Sequence, residues 1–257
     1  MRYFLELAYD GSSFHGWQRQ PNADSVQQRI EGALAKVFQC EVPIVGAGRT
    51  DTGVHARQMY AHFDSPRIIE KPKSLLKGLN LMVGPAIALR RLLPVDREAH
   101  ARFDATERSY KYFVIFEKSP FLAASSWYSP TDLDRERMNE AASLLTEVED
   151  FTSFAKLHTD VKTNICDVRN AEWEEYDNPF GVPGIVFTVT ADRFLRNMVR
   201  AVVGTLVDVG RRKLTVRDFK DIIEARDRCS AGTSMPPQGL FLWDVKYPSN
   251  IFLRHDS

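Results

Sequence analysis

The chain has 257 residues, 44% of them hydrophobic, and its 34 basic and 34 acidic side chains cancel to a net charge of zero. This is ample material for a buried core and excludes a chain too polar to fold; it also removes any global electrostatic argument for a polyanionic partner. No run of about 18 apolar residues is present, so no membrane span is expected, and three dispersed cysteines (Cys40, Cys166 and Cys229) point to reduced thiols in a cytoplasmic protein.

The opening MRYFLELAYDG alternates as a strand over 2–9, with Tyr3, Leu5, Leu7 and Tyr9 on one face, and lacks the parts of a signal peptide. Helical periodicity follows over 25–38, where Val26, Ile30, Ala33, Leu34, Val37 and Phe38 share a face and Asp24 and Gln27 have capping-box spacing. Strands are predicted near 43–47, 57–64 and 86–92, with a helix over 72–82. Further on, strands are predicted near 108–116, 164–175, 184–191 and 240–247. Between them fall a helix over 133–147, burying Met138, Ala141, Ala142, Leu145 and Val148, and one over 193–209 ending at Gly210 as a C-terminal cap. A last helix starts at Thr215, with Asp218 three residues on, and buries Phe219, Ile222 and Ile223. Strands interleaved with helices, without a repeat, predict an α+β fold of two similar halves, each a sheet backed by helices. The break is placed in the polar stretch HARFDATE, giving halves of 1–104 and 105–257.

Candidate chemistry concentrates in GRTDTGVHA, residues 48–56, where Asp51 stands between Arg49 and Gly53. Glycines allow positive φ and close approach of a ligand, and the absence of a following GK[ST] excludes a P-loop. An acid in a glycine-rich turn commonly bonds its own backbone, so this segment gains weight only from the rest of the chain. In the helix expected at 193–209, Arg193, Arg196 and Arg200 fall on one stripe, while Leu195, Val199, Val202 and Leu206 face a core. Residues 193–213 carry six basic side chains against one acid, and residues 131–150 seven acids against two arginines. Such segregation can give a neutral protein a basic face. The strand RSYKYFVIF places Tyr110, Tyr112, Val114 and Phe116 on one face, with Tyr110 best placed to reach a cleft. The loop YDGSSFHGWQRQPNADSVQQ offers Phe14, His15, Trp17, Gln18, Arg19 and Gln20, a set suited to a polynucleotide, although an Ω-loop would look alike. Histidine and cysteine spacings match no metal site.

In this order, YDGSSFHGWQRQP, GRTDTGVHA, RSYKY, RFLRNMVR and AGTSMPPQGLFLWDVKYP resemble the motifs of the bacterial tRNA pseudouridine synthase A family. The resemblance spans residues 3 to 248, with Met235 standing where the family more often has a small residue. It implies two RNA-recognition-like, ferredoxin-like halves. It also implies that their mostly antiparallel sheets join into one extended sheet with helices on one side and that the protein is a cytoplasmic homodimer. It implies isomerisation of uridine to pseudouridine at positions 38, 39 and 40 of the tRNA anticodon stem-loop, with no cofactor and no metal. By the motif match Asp51 is the catalytic carboxylate and Arg200 its basic partner; Tyr110 contacts the target base and Arg49 flanks the site. Two other classes compete: a nucleosidase-type hydrolase, which would pair Asp51 with a second acid, and a non-catalytic RNA-binding module, which gives Asp51 no task.

Overall fold

A computed structural model describes residues 1–156 and 163–253. The chain is α+β and divides into two units: 1–106 together with 242 onward, and 107–241.

The first unit runs β1 (Arg2–Tyr9), α1 (Val26–Phe38), β2 (Val45–Gly46), β3 (His55–Asp64), α2 (Pro72–Val83) and β4 (Ile87–Pro94). β1 lies between β4 and β3, and β2 adds to β3, every pairing being antiparallel. The alternation of β1 divides its side chains between two faces. Tyr3 stacks with Phe63 on one face, where Phe38 of α1 joins them. On the other, Phe4 meets Tyr60, His62, Tyr247 and Phe252, so the end of the chain covers this end of the sheet. α1 begins one residue later than the Asp24 reading: Ser25 is the N-cap, and its hydroxyl accepts from the Gln28 amide at 3.3 Å. Asp24 instead binds the Arg29 guanidinium.

The second unit contains β5 (Glu107–Ile115), β6 (Trp127–Tyr128), α3 (Arg135–Ser143), β7 (Val168–Glu175), β8 (Gly184–Ala191), α4 (Met198–Gly210) and α5 (Val216–Ala225). β8 pairs antiparallel with β5 and β7, while the short β6, which has no clear sequence signal, pairs parallel with β5. α3 packs on β7, α4 and α5. The core holds Trp173 against Phe187 and Phe154 against Phe219. α5 begins as its sequence indicates: Thr215 and Asp218 form a complete capping box, an arrangement worth about 1 kcal/mol. A last strand, β9 (Leu240–Lys246), carries the chain from the second unit back to the first.

Two readings of α4 need correction. The helix starts at Met198, behind a left-handed Asn197 (φ 66°), so Arg193 and Arg196 lie before it and do not share a helical stripe with Arg200. Gly210 is its last residue rather than a left-handed cap; the positive φ (59°) falls at Arg212. Packing accounts for the glycine, because a Cβ at 210 would stand 2.4 Å from the Met138 sulfur. The segregated charges of 131–150 and 193–213 also meet within this unit. Asp134 pairs with Arg212 at 3.1 Å, while Lys213 lies 3.8 Å from Asp208 of its own segment.

Candidate active site

Asp51 sits in the loop joining β2 to β3, half-buried beside the buried Thr50 and the exposed Arg49. The loop closes in a four-residue turn: the Val54 amide donates to the Asp51 carbonyl at 3.1 Å, with Gly53 at φ 78°. Thr50 is tied on two sides. Its hydroxyl shares a buried 2.8 Å hydrogen bond with the Tyr9 phenol, and its carbonyl accepts from the Trp17 amide at 3.2 Å.

The N-terminal loop is the scaffold that makes this possible. Gly16 has φ 87°, and a Cβ there would stand 2.4 Å from the Thr50 carbonyl oxygen. Close approach of this kind needs glycine. A Cβ at Gly46 would likewise enter the Trp17 ring at 2.5 Å. The Gly53 amide donates to the Phe14 carbonyl at 3.4 Å, and the Val26 and Gln27 amides of α1 reach back to Gly16 and Trp17. Phe14 and Trp17 are therefore buried, at 5% and 2% exposure, and do not offer stacking surfaces to a polynucleotide as the sequence suggested; His15, Gln18, Arg19 and Gln20 remain on the surface.

Beside the loop, His55 is buried, with Nδ1 at 3.1 Å from both the Gly11 amide and an Asp10 carboxylate oxygen. Asp10 is held in a local turn. Burial works against its charge, but the Ser12 hydroxyl and amide together with His55 outweigh it and keep the carboxyl below its usual range.

Tyr110 and Arg200 belong to the second unit. Tyr110 lies half-exposed on β5, opposite Val189, and its ring meets Phe194 edge-on at 5.0 Å. Its neighbour Tyr112 is fully buried and donates to the Pro236 carbonyl at 2.9 Å; burial drives its phenol far above its ordinary range, with Arg200 pulling the other way. Arg200, half-buried in the first turn of α4, donates through Nε to the Met235 carbonyl at 2.5 Å, and the Met235 amide returns a bond to the Arg200 carbonyl at 3.0 Å. The segment 231–236 is further fixed by Asn197 to Ser234 (2.6 Å) and by Arg228 to Ser234 (2.9 Å). A Cβ at Gly204 would lie 1.9 Å from the Thr233 carbonyl oxygen, so helix and segment touch backbone to backbone. Met235, the one departure from the family pattern, is buried there.

The first unit thus presents Asp51 at a glycine turn, and the second carries the aromatic strand with Tyr110 and the anchored Arg200. A family model described as tRNA pseudouridine synthase matches residues 141–248. The tRNA pseudouridine synthase A of Parabacteroides distasonis is 53% identical over 251 residues, covering 98% of each chain. That of Bacteroides thetaiotaomicron is also 53% identical, over 98% of this chain and 92% of its own. That of Bacillus subtilis is 37% identical, over 96% and 99%. The chain belongs to the tRNA pseudouridine synthase A family, isomerases that turn uridine in tRNA into pseudouridine.

Proposed function

We propose that this protein isomerises uridine at positions 38, 39 and 40 of the tRNA anticodon stem-loop, with Asp51 as catalytic carboxylate, Arg200 as its basic partner, Tyr110 against the target base and Arg49 at the rim. The observation that carries the reading is the Asp51 loop. Its neighbours Thr50, Gly53 and Val54 are tied to Tyr9, Trp17, Phe14 and the loop's own carbonyl, which presents one carboxylate on a braced backbone, the preorganisation that catalysis rewards.

The chemistry asks for these residue types. The uracil must leave the ribose, turn, and rejoin through carbon 5. A carboxylate serves either by attacking the anomeric carbon, as glycosidases do, or by taking a sugar proton to form a glycal. A target within a stem has to leave the stack, and an aromatic ring offers the extruded base a platform. The reaction needs no cofactor, and the protein works as a cytoplasmic homodimer. Among the described residues no helix is long and apolar enough to cross a membrane.

A tRNA transcript tritiated on carbon 5 of uracil tests the proposal, because forming the new carbon–carbon bond expels that tritium into water. Tritium release with the base retained in the RNA supports it. Free uracil would indicate the hydrolase, and tight binding without turnover the RNA-binding module.

A further inference from the structure

The ladders on both sides of β1 slip next to each other. Between β1 and β3, Leu7 pairs with Met59 and Tyr9 with Ala56, so Arg57 and Gln58 together stand opposite Ala8. Between β1 and β4, Glu6 pairs with Arg91 and Leu7 with Leu89, leaving Arg90 as the extra residue. A bulge breaks the alternation that sends every second side chain to the core, and it re-aims what it displaces. Here Ala56 and Met59 stay buried while Arg57, Arg90 and Arg91 are exposed.

The arginines differ in what holds them. Arg91 is bound by the buried Glu6 and reaches the Tyr60 hydroxyl at 3.2 Å. Gln58 is also spoken for: its amide nitrogen is 3.4 Å from Glu6, and its oxygen accepts from the Val245 amide at 3.0 Å. Arg57 has a different partner, the ring of Trp243, whose centroid is 4.8 Å from its guanidinium carbon. Among the described residues it makes no ion pair. An aromatic face restrains a guanidinium without neutralising it and leaves the in-plane N–H donors for a second partner. That is the geometry of a cation set to receive an oxyanion two-pronged. Arg57 also lies three residues past the Val54 end of the Asp51 turn, about 10 Å along an extended strand.

We propose that Arg57, oriented by Trp243, takes a backbone phosphate of the RNA strand that carries the target uridine. It is a positioning residue, and the proposal rests on the RNA-substrate reading above. Each phosphate neutralised by a protein cation releases counterions, so it contributes roughly 0.7 to 0.9 to the slope of log affinity against log salt. Side chains that only support the fold leave that slope alone.

The experiment measures binding of a tRNA transcript to the full-length protein between 50 and 200 mM salt, for wild type, Arg57→Gln, Arg57→Lys and Trp243→Leu, with turnover by tritium release. Arg57→Gln is expected to bind more weakly and to lose about threefold less affinity than wild type over this fourfold salt range, with the defect in KM rather than kcat. Arg57→Lys keeps the slope. Trp243→Leu keeps the charge but not its orientation, and binds less tightly at every salt. If Arg57→Gln fails to fold, Trp243→Leu decides, and wild-type affinity there overturns the proposal. An unchanged slope in folded Arg57→Gln overturns it too, as does a defect that proves to be a change of oligomeric state by sedimentation. Failure of the underlying function reads differently, as wild-type protein that releases no tritium.

Discussion

At the scale of single residues, the Asp51 loop separates holding from acting. The turn is closed by the main-chain carbonyl of Asp51 and braced through Thr50, and none of these bonds uses the Asp51 carboxylate. Asp51→Asn keeps the size and polarity of the side chain but loses its charge and nucleophilicity, so it should fold and bind tRNA while turnover disappears; tritium release within tenfold of wild type would remove Asp51 from its catalytic role. Tyr110 makes the complementary case. Its ring meets Phe194, so Tyr110→Phe keeps both that contact and any stacking on a base, whereas Tyr110→Ala loses both. Base–aromatic stacking is worth about 1–3 kcal/mol by alanine substitution, so single-turnover rates or affinities should fall by roughly fivefold to a hundredfold in the alanine variant and little in the phenylalanine one. Full activity of Tyr110→Ala, with stability alone reduced, would return the ring to ordinary strand packing.

At the scale of elements, the N-terminal loop and the Asp51 loop are one construction, and Gly16 is its tightest point. A residue at φ 87° with its Cβ 2.4 Å from the Thr50 carbonyl oxygen must either strain or push Thr50 away. Gly16→Ala should cost about 1–3 kcal/mol from the backbone strain alone. Because the displaced atom belongs to the residue before Asp51, activity measured well below the unfolding temperature should fall further than the lost stability explains. A destabilised variant with normal turnover would show that the two loops are not coupled. Little of this coupling was legible beforehand. Periodicity located β1, α1, α5 and β8 well, since each buries one face, and the motif order located Asp51. What escaped were features set by contacts distant in sequence. Trp17 looked like a ligand platform because nothing local says that Gly46 receives its ring. The α4 start was placed five residues early because Arg193 to Asn197 continue a helical apolar pattern, while the left-handed Asn197 and its bond to Ser234 stop it. The bulges that expose Arg57 and Arg90 are likewise invisible in alternation, which assumes an unbroken ladder.

At the scale of the whole molecule, the response to acid should be set in the first unit before the carboxylates titrate. His62 is buried on β3, its Nδ1 accepting from the Ala101 amide at 3.1 Å, and its ring meets that of His100 at 4.6 Å. The His100 Nδ1 accepts in turn from the Arg102 amide at 3.1 Å. Burial first, then the neighbouring His100 and Arg2 charges, push His62 down to about 4, against the opposing pull of Asp64 and Asp104; burial lowers His100 as well. A histidine whose folded pKa lies below its unfolded value binds its proton more readily once unfolded. Stability is therefore full above about pH 6.5, declines as pH falls toward 4, and levels off below. Over the span from pH 7 to 5 the His62 contribution is about 2 kcal/mol, whereas Asp24 and Asp64, held low first of all by their arginine hydrogen bonds, act only below their ordinary range near 3.8. Denaturant midpoints at pH 7 and pH 5 should differ accordingly. His62→Gln, which removes the titrating group and keeps an acceptor toward Ala101, should flatten most of the difference even if it lowers stability at both. An equal pH dependence in the variant would assign the acid sensitivity to other groups.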